Sequence, residues 1–281
     1  MSTVGVALVV GVVSGALTWA LTRDVFSHPS LARRNVRGLD VPTAGGAVLL
    51  LALLPGWVAT NVLTVRWQFD VVSFELASAF GVVGPVAIFA FLGLVDDVLA
   101  QGAERGFRGH LGALATGRLT TGGVKLVGGG LAALAIAAQP ELWRWLLDAA
   151  VIALAANLAN LLDRAPGRLT KVSVLVVAVL AVIAPAGEEW RVGSAALVVG
   201  VALGMVVPEL REQIMLGDTG ANPLGAVLGL SSVLLLGTTG TVVVAVALLG
   251  LNLLSERVSF SDVIDRTPAL RWLDRLGRPT G

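Results

Sequence analysis

Four short stretches of this 281-residue chain carry side chains suited to phosphate or cation chemistry. The first is the pair Asp96-Asp97, which closes the apolar run from Phe89 to Val98. A carboxylate at membrane depth costs ~2.5–3.5 kcal/mol on insertion scales, so two in succession point to a site. The plainer alternative is a solvated helix end at a membrane boundary. The second stretch spaces Asn157, Asn160 and Asp163 one turn apart, on one helix face. Hydrogen bonding between helices of a bundle would account for the asparagines equally well. The third is Gly217-Asp218-Thr219-Gly220. It reads as a turn followed by Asn222 as helix cap and Pro223 at the first helical position, which leaves Asp218 available as a ligand. In the fourth, Lys125 follows Thr120-Thr121-Gly122-Gly123-Val124. A helix starting there would offer free N–H groups and positive dipole to a phosphate. A lysine snorkelling at a membrane boundary is the competing reading.

The chain has no cysteine, which excludes disulfides, thiolate metal sites and a thiol nucleophile. Any metal is therefore held by oxygen, or less readily by His28 or His110, which favours Mg²⁺ with Mn²⁺ as the alternative. Both histidines stand isolated in loops and read as surface residues. A phosphate-binding G-x-x-x-x-G-K-[ST] loop and a dinucleotide glycine fingerprint are both missing. The net charge of +1, with no basic stripe, gives no footprint for nucleic acid.

Helices in a bilayer must position these residues. Hydrophobic residues make up 56% of the chain and charged ones 14%, with a mean hydropathy of +0.85, and no water-soluble surface can be built from that balance. Length and apolarity predict an all-α polytopic bundle with about nine spans, near 3–22, 44–65, 74–97, 121–139, 142–162, 171–186, 192–208, 221–237 and 239–255. The first reads as a span and not as a cleaved signal peptide, because no Lys or Arg precedes Arg23. With the N-terminus outside and the C-terminus cytoplasmic, 17 of the 20 basic residues fall inside, and only Arg66, Arg144 and Arg191 fall outside. That topology brings Asp96, Asp97, Lys125, Asn157 to Asp163 and Asp218 to cytoplasmic helix ends. The glycine repeats Gly200/Gly204 and Gly225/Gly229 and the run Gly128 to Gly130 read as close helix packing.

Arg34-Asn35-Val36-Arg37-Gly38-Leu39-Asp40-Val41-Pro42-Thr43-Ala44-Gly45-Gly46, Gly93-Leu94-Val95-Asp96-Asp97, Asn157-x-x-Asn160-x-x-Asp163 and Gly217-Asp218-Thr219-Gly220-x-x-x-Leu224-Gly225 occur in that order. Over about residues 33–229 they resemble the polytopic phosphoglycosyltransferases, the MraY- and WecA-like polyprenyl-phosphate N-acetylhexosamine-1-phosphate transferases. The resemblance implies transfer of a sugar-1-phosphate from a UDP-sugar to undecaprenyl phosphate, with release of UMP. It also implies a place in cell-envelope glycan synthesis at a bacterial inner membrane. Residues and resemblance together assign Asp96, Asp97 and Asp218 as catalytic, with Asp218 and Asp97 as Mg²⁺ ligands. They assign Asn35, Lys125, Asn157, Asn160, Asp163, Arg164 and Arg168 as substrate contacts. The partners expected are undecaprenyl phosphate, a nucleotide-sugar and membrane lipids, with a homodimer as an option.

Two places depart from that family's pattern. Its asparagine motif continues Asp-Gly-x-Asp-Gly, whereas here the run is Asp163-Arg164-Ala165-Pro166-Gly167-Arg168, with Lys171 next in a basic cluster. The family's histidine-bearing loop has no counterpart, since no histidine follows His110. Residues 1–255 read as the membrane domain and 256–281 as a cytoplasmic tail. In the tail Thr267, Pro268, the leucines at 270, 273 and 276 and Gly277 spell a short amphipathic helix suited to lipid headgroups or to a dimer contact. The alternatives to an active transferase are a catalytically inactive relative serving as a membrane scaffold or lipid-phosphate binder, and a transporter or flippase.

Overall fold

The computed structural model describes residues 2–35, 37–67, 83–99 and 120–279. The expected span start at 74–82 and His110, Asp70, Glu75, Arg105, Arg108 and Arg118 lie outside the described residues.

Among the described residues the chain is all-α apart from one small hairpin. Its helices are α1 (Thr3–Phe26), α2 (Gly45–Trp67), α3 (Val83–Leu99), α4 (Thr121–Ile136), α5 (Leu142–Leu162), α6 (Arg168–Ile183), α7 (Trp190–Gly204), α8 (Val206–Leu210), α9 (Gly217–Leu235), α10 (Thr238–Ser255), α11 (Phe260–Arg266) and α12 (Pro268–Arg275). Strands β1 (Ala32–Arg34) and β2 (Asp40–Pro42) pair antiparallel between α1 and α2. Among the described residues, four helices are long and apolar enough to cross a membrane: Thr3–Phe26, Gly45–Leu63 within α2, Leu142–Leu162 and Thr238–Ser255. Two shorter apolar helices, Thr121–Ile136 and Trp190–Gly204, accompany them. Leu21, Val25, Leu54, Val58, Val243, Val246 and Leu253 point outward from the long helices, and Leu175 and Val182 from α6. So much exposed aliphatic surface is what a lipid-facing exterior looks like.

Helix α9 is the axis of the bundle. It packs against α2, α3, α5, α6 and α7, and nearly every residue from Thr219 to Gly229 is buried. Small residues make this possible: a side chain on Gly225 would stand 2.3 Å from the Ala155 carbonyl of α5. The expected glycine packing holds for Gly200 and Gly204, which lie against α1, and for Gly225 and Gly229 against α5, whereas Gly130 meets nothing within 4 Å.

The start of α9 corrects the sequence expectation of a turn capped by Asn222. The helix begins at Gly217, so Asn222 and Pro223 lie within it. The cause is a cap supplied by another helix. Asp97 of α3 accepts from the Asp218 and Thr219 backbone N–H groups at 3.1 and 2.9 Å and from the Thr219 hydroxyl at 2.7 Å. Those N–H groups would otherwise be orphans of the first turn. On the other side, Met215 and Leu216 exchange backbone bonds with Pro42, Gly45 and Gly46, which ties the β-hairpin to the α9 N-terminus.

Candidate functional site

Asp218 stands in the first turn of α9, and three elements converge on it. Lys125 of α4 contacts its Oδ2 through the ammonium group. Asn160 of α5 bridges the two: with its amide oriented by its neighbours, the nitrogen donates to Asp218 Oδ1 and the oxygen accepts from Lys125 Nζ, both at 2.5 Å. Asp96 of α3 comes within hydrogen-bonding range of the Asp218 side chain. Two carboxylates that close share either a proton or a cation. The approach of α3 to α9 depends on Gly93, where a Cβ would sit 2.2 Å from the Asp218 carbonyl. Gly217 adopts φ +66, a left-handed conformation natural to glycine, and turns the chain into α9 directly under the Asp97 carboxylate.

Two cavities meet at this cluster. A cavity of about 420 Å³ runs between α3, α4 and α5, with walls from Phe89, Leu92, Gly129, Gly130 and Ala153. A cavity of about 610 Å³ opens beside it, lined by the hairpin residues Arg33 and Asn35, the 163–166 loop, Glu209, Glu212 and Asp218. Asp96, Asn160 and Arg164 line both. One chamber is thus apolar with a polar end, the other is rich in charged and amide groups, and Asp96 stands where they meet.

Of the residues singled out from sequence, Asp96, Asp97, Lys125, Asn160, Asp163, Arg164 and Asp218 come together here. Asp97 is present in another capacity than expected: both its oxygens are engaged by the α9 N-terminus, so it faces backbone more than cavity. Asn157 lines the apolar cavity, and its amide nitrogen donates to Asn252 Oδ1 of α10 at 2.6 Å, the interhelical bond that was its plainer reading. Asn35 lines the polar cavity while shaping the hairpin turn, with Oδ1 accepting from the Arg37 and Leu39 N–H groups and Nδ2 donating to Glu212 at 2.8 Å. Arg168 departs furthest from the expectation of a substrate contact. It is 5% exposed, lines neither cavity, and its guanidinium is bidentate to Asp274 at 2.8 and 3.1 Å with a third bond to Ser261 at 2.9 Å.

Two residues of the site were not among those singled out from sequence for it: Glu209, and Asn222, which read there only as a helix cap. Glu209, 4% exposed, takes the Gly167 N–H and the Thr170 hydroxyl at 3.0 Å each and so anchors the loop before α6. Burial raises its pKa, against the pull of those two donors. A lone acid in Val206-Val207-Pro208-Glu209-Leu210 was the available signal. Asn222 is 2% exposed, lines the apolar cavity one turn beyond Asp218, and has no partner for either amide atom among the described residues. Asp163, just past α5, is held well above the usual carboxylate range by burial first, then by the charges of Glu209, Asp218 and Asp97.

The donor set fits a hard divalent cation in a particular form. Asp96 and Asp218 offer oxygen donors at the junction, yet among the described residues no group of three or more such side chains forms a ready metal cage. Mg²⁺ is commonly held by one or two carboxylates and completes its shell with water and substrate phosphate oxygens.

The family model described as "Glycosyl transferase family 4" matches residues 79–236, more than half of the chain. No curated protein matches the sequence.

Proposed function

Because this chain belongs to glycosyl transferase family 4, we propose that it transfers a sugar-1-phosphate, such as N-acetylhexosamine-1-phosphate, from a UDP-sugar to undecaprenyl phosphate. A phosphate oxygen of the lipid attacks the sugar-linked phosphorus, the bond to the UMP oxygen breaks, and UMP leaves with that electron pair. The observation that carries the reading is the meeting of an apolar and a polar cavity at Asp96, Asn160 and Arg164. Such a junction suits two substrates of opposite character whose phosphates must touch. Topology follows from the same reading: nine spans, N-terminus outside, and the junction at the cytoplasmic face of a bacterial inner membrane.

Joining two anions calls for charge neutralisation and positioning more than for covalent chemistry by the protein. Lys125 and Arg164 bring positive charge to the junction, and Asn160 fixes Lys125 against Asp218. Asp97 holds the α9 N-terminus, and thereby Asp218, in place. Asp96 and Asp218 are the residues that would hold Mg²⁺, which when bound supplies a clamp for the diphosphate oxygens. Asn35 and Asp163 stand on the polar side, where the nucleotide-sugar would lie.

The test is the purified protein in lipid with undecaprenyl phosphate, Mg²⁺ and a panel of UDP-N-acetylhexosamines, with UMP release as the readout. Turnover that needs Mg²⁺ and disappears in Asp96→Asn and Asp218→Asn is expected. UMP from no donor, alongside intact lipid-phosphate binding, favours the second reading, an inactive scaffold. Pro166 motivates that alternative, because it lines the polar cavity where the resembled family carries an acid.

A further inference from the structure

Helix α12 is inverted relative to an ordinary surface helix. Asp274 is its one buried residue, at 8% exposure, while Leu270, Trp272 and Leu273 are 43 to 65% exposed and Leu276, just beyond, is 53% exposed. A helix of a water-facing domain buries its leucines and exposes its acids. Here the acid faces the protein, so the apolar arc must be covered by something else.

The position of the helix says what covers it. Asp274 meets Arg168 in the first turn of α6, and Lys171, one turn further in, donates to the Leu273 and Asp274 carbonyls at 3.3 and 2.7 Å. The remainder of α6 is apolar, with Leu175, Val179 and Val182 on its outer face, so α12 lies at the level where that helix becomes lipid-facing. The tail follows α10, a helix long and apolar enough to cross a membrane, and α11 starts only five residues after its end at Ser255. At 100° per residue, Arg271 and Arg275 fall on the exposed arc opposite the leucines, Arg271 also donating to the Asp265 carbonyl at 3.3 Å, and Trp272 borders the apolar arc. Aromatic and basic residues in that arrangement match an anionic headgroup layer.

We propose that α12 is seated in the lipid interface of the protein's own membrane, and that the Arg168–Asp274 pair couples this seat to the wall of the polar cavity. The coupling is direct. Arg278, which pairs with Asp274 at 2.9 Å, donates through Nε to the Pro166 carbonyl at 3.0 Å, and Arg164, Ala165 and Pro166 line that cavity. Arg168 and Asp274 are thus positioning residues for the 163–167 loop. The lipid seat stands apart from the transferase reading, and only its effect on turnover rests on it.

The absence of cysteine makes the test clean. Full-length Leu276→Cys, labelled with an environment-sensitive fluorophore, is reconstituted in vesicles of mixed phosphatidylcholine and phosphatidylglycerol. Quenching by lipids with a headgroup-proximal nitroxide, together with protection from aqueous iodide, is expected. Access to iodide without lipid quenching would overturn the seat, as would protection that vanishes on diluting the protein in lipid, which would mean that a second copy covers the face. For the coupling, Asp274→Asn in unlabelled protein is expected to speed hydrogen exchange of the 163–168 backbone. It should also raise KM for the nucleotide-sugar several-fold with a smaller effect on kcat. Unchanged exchange refutes the coupling. An inactive wild-type protein refutes the transferase reading while leaving the fluorescence and exchange results intact.

Discussion

Asn222 offers a perturbation in which stability and function are expected to move in opposite directions. Its side chain is 2% exposed, and neither the amide nitrogen nor the oxygen has a partner among the described residues. Leaving a buried polar group unpaired costs about 1–3 kcal/mol, and native structures rarely tolerate it without a reason. Asn222→Leu replaces both unpaired atoms with apolar ones of similar bulk, in a segment packed by Ala226 and Gly225 of the same helix and by α5. The expected gain is about 1–3 kcal/mol, with the lower end applying if a water already bridges the amide. At about 2–4 °C per kcal/mol for chains of 150–250 residues, the apparent unfolding midpoint should rise by several degrees. The assay is a thermal scan of the protein in detergent at one fixed rate, because unfolding of such proteins is seldom reversible. UMP release should fall in the same variant, since the amide lines the apolar cavity one turn from Asp218. A midpoint unchanged or lowered would refute the reasoning, showing that the amide is satisfied in the native protein. A raised midpoint with full turnover would take Asn222 out of the site.

Lys125→Met removes the cation from a pair whose side chains are 17% and 19% exposed, and breaking a buried pair costs about 3–5 kcal/mol, with partial exposure placing this one at the low end. Adding Asp218→Asn should restore most of the lost midpoint in a thermal scan while UMP release stays abolished, which separates folding from chemistry. The tail latch has its own pH signature. Burial opposes ionisation of Asp274, but Arg168 and Arg278 overcome it and hold its pKa below the usual 3.8. Its contribution is therefore full above about pH 4, where unfolded chains are also ionised, and is lost as pH falls through the lowered folded value. The protection factors of the 268–276 backbone amides, corrected for the intrinsic pH dependence of exchange, should stay flat from neutral pH down to that range and fall only below it, whereas Asp274→Asn should show low protection throughout.

How far the site could be read in the sequence follows from where its partners lie. Asp96, Lys125, Asn160 and Asp218 were legible as a group because charge and amide groups are scarce in an apolar chain, and the topology expected from the basic residues sends them all to one side. Which of two adjacent aspartates caps α9 and which reaches both cavities was not legible. Successive helical residues differ by 100°, so Asp96 and Asp97 meet different groups of the α9 N-terminus, the Asp218 side chain and the first-turn N–H groups, and the division rests with a helix more than a hundred residues away. The same dependence hid the start of α9. Local chemistry placed the helix start at Asn222-Pro223, yet the cap comes from Asp97 across the bundle and lets the helix begin at Gly217. Proline at 223 is then an interior residue that leaves the Thr219 carbonyl without its helical donor. Arg168 shows the rule from the other side. Its place in the basic cluster with Arg164 suggested a substrate contact, but a guanidinium at the head of a lipid-facing helix takes the carboxylate nearest to hand, and the tail delivers Asp274 to it. In a membrane bundle, residue type and depth announce that a polar group has a role, and the partner that arrives from elsewhere in the chain determines which role it is.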